Sequence, residues 1–414
     1  MSALGDLGGY EGCPCRGLRP SHRIISRNTP VEFLFWTLIL AVSWCYAGYP
    51  LYIMALARFW PRPIRPPAAD FRPSVTVIVA IRNERDALPR RLSNLLAQEY
   101  PPERLDVVVV CNGSVDGSEE IAGQVARTEP RVRVFTSPAE RGKAGAINMA
   151  AAHTAADVIV FADARQTFAQ DAVARIVEPF SDPGVGAVTG RLEVRQADLA
   201  SVEGVRMYWA LETRLRDAEG RTGSVIGATG AIYGVRRSLF QDMPPNLILD
   251  DVYLPLRIAM LGHRVVMAPR ALAFDVPSHD QSAEYARKRR TMVGNIQLLG
   301  VIPGLLSPVR NPLFMRFVSH KLLRLLTPFC FVALLCLSAL LPGWAYRMFF
   351  AAELGLYLSG ALGLWVSVGA LSVPAAFVLM HGAIFAAVWR WNDDAARVWA
   401  QPTLSGAIRP APPS

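Results

Sequence analysis

Cysteine and charge are both scarce in this 414-residue chain, and each shortage excludes a class of protein. Charged residues make up 19% and hydrophobic residues 52%, which is too apolar for an ordinary soluble enzyme and too charged for a polytopic transporter. The cysteines form neither a disulfide framework nor a paired zinc spacing, and they number only six: Cys13, Cys15, Cys45, Cys111, Cys330 and Cys336. Cys13 and Cys15 could bind a metal only with ligands from elsewhere in the chain, and the interpretation that they belong to a flexible tail is favoured.

A module for binding RNA or DNA is also lacking, so the formal net charge of +9 is not interpreted as nucleic-acid binding. The basic excess fits a protein that rests on anionic lipid and attracts phosphates. We therefore expect membrane lipid, and no nucleic acid, among the partners. The chain has room for one large catalytic domain plus several membrane spans, and the apolar composition favours that organisation.

Hydrophobic runs at both ends flank a more polar middle, which predicts a domain between membrane segments. Glu353 and His381 lie inside predicted spans, where a functional role and a simple helix-facing role are both open. The predicted order is a disordered tail at 1–30, a transmembrane helix at 31–57, a proline-rich linker at 58–73, a catalytic domain at 74–291, interfacial amphipathic helices at 292–324, three transmembrane helices at 325–391 and a tail at 392–414.

Short β-branched runs alternate with helical spacing in the middle of the chain, which predicts an α/β fold with a mostly parallel sheet. In such a sheet the chemistry lies at the carboxyl ends of the strands. The predicted strands are Val75–Ala80, Asp106–Cys111, Arg131–Phe135 and Val158–Ala162, with helices near Leu88–Ala97 and Glu119–Arg127.

Two of these strands end in polar groups suited to a nucleoside. Asn83 and Glu84 follow the first strand, where they could hydrogen-bond a ribose or base or simply cap the next helix. Asn112 and Asp116 follow the second strand among glycines, where they could accept from the N–H of a base or merely form turns.

Phosphate and metal are predicted next. Lys143 opens a helix after Gly142, an arrangement suited to a phosphate, although a helix start can show it by chance. Asp163 follows an apolar strand, and one carboxylate can hold a divalent cation, Mg or Mn, if a diphosphate and water fill the other positions. The metal would act as a Lewis acid on the leaving diphosphate.

Acids and arginines complete the candidate site. Asp250 and Asp251 precede a helical stretch, where they form either a double cap or the base that deprotonates an acceptor hydroxyl. Arg287 and Arg290 belong to a basic run beside the membrane, which could grip phosphate or face lipid.

Taken in order, these elements resemble the family 2 glycosyltransferases with a GT-A nucleotide-sugar-binding domain, and the flanking spans are similar to those of chitin-oligosaccharide, cellulose and hyaluronan synthases. The resemblance covers about Val75 to Thr291 and includes the Gly227–Arg237 segment. It implies nucleoside contacts for Glu84, Asn112 and Asp116 and a diphosphate contact for Lys143.

The resemblance also assigns Asp163 to the first acid of the Asp-x-Asp metal motif, Asp251 to the base and Arg290 to the arginine of Gln-x-x-Arg-Trp. The full Gln-x-x-Arg-Trp motif is lacking because Arg287 and Thr291 replace its Gln and Trp. Arg165 replaces the second acid of the metal motif, and Asn112 stands where the family often has Asp.

The family implies an inverting, metal-dependent hexosyltransferase that moves a sugar from a nucleotide-sugar donor, expected to be UDP-linked, to a glycan or lipid acceptor. A short product is favoured over a polymer. Two alternatives stay open: a non-catalytic scaffold or nucleotide-sugar sensor in a polysaccharide export complex, and a processive polysaccharide synthase. A multi-pass inner-membrane location with a cytoplasmic catalytic domain is expected, since nucleotide-sugars are made in the cytoplasm.

Overall fold

A computed structural model describes residues 29–66, 70–138, 142–194, 203–275, 281–366 and 369–389. The predicted tails at 1–30 and 392–414 lie almost wholly outside these ranges, as do Cys13 and Cys15. The predicted boundaries between domains stay predictions.

The central element is an eight-stranded mixed sheet in the order β3-β2-β1-β4-β7-β6-β8-β5. Strands β1 to β4 pair in parallel, β6 pairs in parallel with β8, and β7 and β5 run antiparallel to their neighbours. The α/β class is thus confirmed. The strands are β1 (Val75–Ile81), β2 (Leu105–Asn112), β3 (Val132–Ser137), β4 (Val158–Ala162), β5 (Thr167–Phe168), β6 (Val185–Val194), β7 (Ile232–Arg236) and β8 (Arg264–Asp275).

Helices surround this sheet and continue into a bundle. They are α1 (Thr29–Ser43), α2 (Tyr49–Phe59), α3 (Leu88–Leu96), α4 (Ser118–Thr128), α5 (Gly142–Ala152), α6 (Ala172–Val177), α7 (Glu203–Arg221), α8 (Asp250–Met260), α9 (Gln281–Val301), α10 (Phe314–Phe317), α11 (Leu323–Leu340), α12 (Trp344–Gly363) and α13 (Ser372–Trp389). Short π-helical segments join α1 to α2 and α10 to α11.

Both faces of the sheet are covered, which explains why its strands are apolar throughout rather than alternating. Val77 and Val79 of β1 face α3, α4 and α6, while Ile78 faces α5, α8 and α9. Polar side chains are therefore left to the strand ends, where the sheet opens to the crevice.

Three helices are long and apolar enough to cross a membrane: Pro30–Phe59, Phe314–Leu340 and Gly369–Trp389. Helix α12 is not among these candidates within the described residues, and it holds Glu353 with 5% of its surface exposed. Residues 314–324 form the first turns of the long helix Phe314–Leu340. The end of the predicted interfacial segment and the following span are therefore parts of one continuous helix.

Candidate active site

The candidate active site lies at the carboxyl ends of three adjacent parallel strands. Asn83 and Glu84 follow β1, Asn112 ends β2, and Asp163 follows β4 directly after Ala162. Because β1 pairs in parallel with both β2 and β4, these strand ends share one edge of the sheet. The predicted nucleoside residues and the predicted metal ligand are thus brought to the same edge.

Lys143 is the centre of the acidic part of the site. Its Nζ lies 3.1 Å from Asp163 Oδ1 and 3.3 Å from Asp250 Oδ1. A Cβ atom on Gly230 would lie 3.3 Å from Asp251 Oδ2 and 3.8 Å from Asp163 Oδ2, so these two carboxylates stand within about 7 Å of each other. The three acids and the lysine therefore converge, from chain positions far apart.

Lys143 contacts carboxylates in this structure, and its predicted contact with a diphosphate stays a prediction. Burial works to lower the pKa of Lys143, but Asp163, Asp250 and Asp251 outweigh it and raise that pKa above its ordinary value. The ammonium therefore stays charged and offsets part of the negative charge of the acids.

The two adjacent acids at the start of α8 have different surroundings. Asp250 is 3% exposed, and its Oδ2 accepts a hydrogen bond of 2.8 Å from the Tyr233 hydroxyl. Burial and the neighbouring Asp250 raise the pKa of Asp251 to about 6, although Lys143, Arg216 and Lys321 act to lower it. A carboxylate with a pKa near neutrality is suited to general base catalysis, which favours Asp251 over Asp250 for that role.

On the nucleoside side, polar side chains tie the loop after β1 to the loop after β2. Asn83, at a φ of 55°, accepts from the Val115 N–H at 2.9 Å, and its own N–H donates to Ser114 Oγ at 3.1 Å. Asp116 accepts from the N–H groups of Arg85 and Ser118 at 2.9 and 3.0 Å. Partial burial acts to raise the pKa of Asp116, but these hydrogen bonds and one from the Ser118 hydroxyl lower it. Both side chains therefore shape these loops.

Asn112 differs because its amide is buried without a partner. The residue is 2% exposed, and neither amide atom has a hydrogen-bond partner in the part of the chain that is described. Ser137, its register partner on β3, is also fully buried with an unpartnered hydroxyl. Sequence analysis missed Ser137, because only the pairing of β2 with β3 places it beside Asn112.

Arg165 stands where the second acid of the metal motif was expected, and it forms an ion pair across the site. Its Nε donates to both carboxylate oxygens of Glu84, at 2.9 and 3.1 Å. Burial raises the pKa of Glu84 even though Arg165 acts to lower it. The substitution thus links the loop after β4 to the loop after β1.

The predicted arginines lie on α9. Arg290 is close enough to Lys143 for its positive charge to oppose protonation of that lysine, so it lies on the side of the acids. Arg287 lies one turn earlier on the same helix and is exposed.

A divalent metal fits this site only if the nucleotide-sugar substrate supplies some of the metal ligands. Within the described ranges, no group of three or more His, Cys, Asp or Glu side chains is arranged to hold a metal. Asp163 retains 39% of its side-chain exposure, so it can offer one carboxylate while phosphate oxygens and water supply the other ligands.

Sequence analysis also missed a buried ionic network beside Asp251, formed by α7 and the first turns of the helix Phe314–Leu340. Its members are Glu212, Arg216, Glu219, His320, Lys321 and Arg324. The basic residues near 316–324 carried this signal in the sequence, but they were interpreted as part of an interfacial amphipathic helix.

Comparison with known proteins identifies the domain. Residues 76–243 match the family model for glycosyl transferase family 2. A poly-beta-1,6-N-acetyl-D-glucosamine synthase of Staphylococcus aureus is 24% identical over 247 residues, which cover 58% of this chain and 59% of that protein. An N-acetylglucosaminyltransferase of Rhizobium leguminosarum bv. viciae is 30% identical over 263 residues, which cover 58% of this chain and 61% of that protein. The chain thus spans about three fifths of the length of these relatives.

The fold matches that of a solved structure, the mannosyltransferase PcManGT from Pyrobaculum calidifontis in complex with GDP-Man and Mn2+. The TM-score is 0.65 at 24% identity, and the match covers 87% of this chain and 99% of that chain. The GT-A fold is confirmed, and residues 76–243 match the family predicted from the motifs.

Proposed function

Because residues 76–243 form a glycosyl transferase family 2 domain, we propose that this protein transfers a hexosyl group, with inversion, from a nucleotide-sugar to a glycan or lipid-linked acceptor at the membrane. The observation that carries the proposal is the convergence of Asp163, Lys143 and Asp251 at the carboxyl edge of the sheet. A carboxylate for metal, a fixed cation and a second carboxylate with a raised pKa are the groups that such a transfer requires.

In the proposed reaction, Asp251 removes the proton from an acceptor hydroxyl while that oxygen forms a bond to the anomeric carbon. The bond from the anomeric carbon to the diphosphate breaks, and its electron pair leaves with the nucleoside diphosphate. Lys143 and Arg290 offset the charge that develops there. Asp163 would hold Mg or Mn, which supplies Lewis-acid stabilisation of the leaving diphosphate when bound. Asp250 positions Lys143.

For the donor, we propose a UDP-linked sugar. Asn112 offers both an N–H donor and a carbonyl acceptor, which matches the adjacent N–H and C=O groups of uracil. The two relatives are named for N-acetylglucosamine transfer or polymerisation, which makes UDP-N-acetylglucosamine the first donor to test. The solved neighbour with a similar fold carries GDP-Man and Mn2+, so GDP-mannose belongs in the same panel.

The test is the release of nucleoside diphosphate from this panel by purified protein in lipid nanodiscs, with Mg²⁺, Mn²⁺ or a chelator. We expect release that requires the metal, and we expect Asp251→Asn to lower transfer by about 10²- to 10⁴-fold. Asp242→Asn, an exposed carboxylate outside the crevice, is the matched control and should have no effect.

Arg165 favours a second candidate, a nucleotide-sugar sensor or scaffold, because it removes one acid from the metal motif. A sensor would bind the nucleotide-sugar without metal-dependent release. Analysis of product length then separates a single transfer from processive synthesis.

We also propose a multi-pass inner-membrane location with the catalytic domain in the cytoplasm. Val115, near the crevice, is 89% exposed, and Trp344, between the membrane helices, is 80% exposed. A membrane-impermeant maleimide should label Trp344→Cys in intact cells and Val115→Cys only after permeabilisation, each compared with the parent. The reverse pattern would contradict this orientation.

A further inference from the structure

Three cations stand together between the catalytic domain and the membrane helices. Arg216 lies on α7, Lys321 lies in the π-helical segment Val318–Leu322, and Arg324 lies in the first turn of α11. Arg216 and Arg324 both contact Glu212, at 3.1 and 2.8 Å. Lys321 is close enough to interact electrostatically with these three residues and with Asp251. We call Arg216, Lys321 and Arg324 the membrane-side basic cluster.

Of the two carboxylates in this region, Glu212 is shared among several cations, whereas Oε2 of Glu219 has no hydrogen-bond partner among the described residues. Glu212 forms ion pairs with both arginines and also contacts His320, at 3.2 Å. Glu219 serves His320 at 2.8 Å and accepts from the Tyr49 hydroxyl at 2.6 Å. Lys321 makes no hydrogen bond or ion pair with any residue in the described ranges. Since charges removed from water need a partner, an anion beside Lys321 would stabilise the membrane-side basic cluster.

A simpler explanation is that these cations rest on lipid headgroups, but their contacts point inward. Only about a fifth of the side chains of Arg216 and Arg324 is exposed, and both meet a Glu212 side chain that is 6% exposed. Lys321 and Arg216 also act electrostatically on Asp251, the proposed base. Arg216 Nη1 donates to the Ala228 carbonyl oxygen at 3.4 Å, and the Ala228 N–H donates to the Asp251 carbonyl oxygen at 2.7 Å. The membrane-side basic cluster therefore adjoins the proposed reaction centre.

Its height relative to the bilayer indicates where the anion comes from. Lys321 precedes Leu340, the end of the candidate span, by nineteen helical positions. At about 1.5 Å per residue this distance is about 28 Å, close to the hydrocarbon thickness of a bilayer. With Leu340 at one surface, Lys321 lies at the other, where the phosphate of a membrane lipid lies.

We propose that the membrane-side basic cluster binds the phosphate of a lipid-linked acceptor and so presents the acceptor hydroxyl to Asp251. Two guanidinium groups and one ammonium match the oxygens of a phosphate, and Asp251 accepts the proton from the sugar hydroxyl. This inference rests on the proposed glycosyl transfer and narrows its acceptor to phosphate-bearing glycolipids.

The experiment compares two acceptors in nanodiscs of neutral lipid: a prenyl-phosphate glycolipid and a diacylglycerol glycolipid that carries the same sugar. The unmodified protein should use the phosphate acceptor with a KM about 10- to 100-fold lower. Lys321→Met should raise that KM toward the value for the neutral acceptor. Lys321→Arg should restore most of the preference.

Arg347→Met is the matched control, because Arg347 is an exposed cation on α12 and should affect neither acceptor. Millimolar inorganic phosphate tests whether the cluster recognises the phosphate group itself. Inhibition of transfer to the phosphate acceptor, but not to the neutral acceptor, would support recognition of a phosphate that the lipid supplies in the reaction. Equal KM values for the two acceptors in the unmodified protein would overturn the inference, whatever the variants do. Absence of both donor hydrolysis and transfer would instead refute the proposed glycosyl transfer.

Discussion

In the proposed reaction, Asp251 is the base in the crevice. Its pKa is raised to about 6, chiefly by burial and by Asp250, and only the deprotonated form can accept a proton. We expect kcat/KM for transfer to fall about tenfold per pH unit below pH 6 and to level off above it. A profile that stays flat from pH 5 to pH 7, with the fold intact by circular dichroism, would contradict the assignment.

Because Gly230 has no side chain, it leaves space between the carboxylates of Asp251 and Asp163. A methyl group there would lie 3.3 Å from Asp251 Oδ2, so Gly230→Ala should displace that carboxylate and lower kcat by about 100-fold. The melting temperature should change little. Gly123→Ala is the control, because its methyl group would meet nothing within 4 Å.

At the level of single residues, the sequence is informative where a local pattern determines the position of a side chain. Asp163 follows an apolar strand and Asp251 begins a helix, and the structure places both in the crevice. The contacts of Lys143 with two acids could not be predicted, because Asp163 and Asp250 reach it from β4 and α8. Lys321 likewise comes close to Asp251 only because the helix Phe314–Leu340 packs against α7.

The loops after β1 and β2 act as one element, because Asp116 holds them together. Removing its carboxylate in Asp116→Ala frees the N–H groups of Arg85 and Ser118 and should loosen the loop that carries Glu84. We expect the donor KM to rise about tenfold with a small change in kcat. Asp116→Asn keeps one acceptor oxygen and should give an intermediate KM, whereas equal KM values in all three proteins would contradict this role.

Secondary structure was predictable where one segment carries its own signal. The β-branched runs at 75–80 and 158–162 became β1 and β4 almost residue for residue. Strands β6 and β8 were not predicted, because their partners lie far along the chain and β7 inserts antiparallel between β4 and β6. The continuation of the helix from 314–324 into α11 was likewise not predicted, because the pairing of its basic residues with α7 depends on tertiary packing.

The buried ionic network connects the catalytic domain to the membrane helices. Glu219 is fully buried and bonds Tyr49 of α2, while its other partner, His320, lies on the helix Phe314–Leu340. Glu219→Ala should therefore lower the free energy of unfolding in detergent by about 3–5 kcal/mol, because His320 loses its closest counter-charge inside the protein. Asp217→Ala, on the same helix with a long 3.9 Å ion pair, should change it far less.

As a candidate membrane span, the continuous helix Phe314–Leu340 would fix the distance between the proposed reaction centre and the bilayer. In the proposed reaction, a free hydroxyl close to the lipid anchor would reach Asp251, and each added sugar would carry the new chain end past it. Product length would then be limited by the dimensions of the protein, with no termination signal needed.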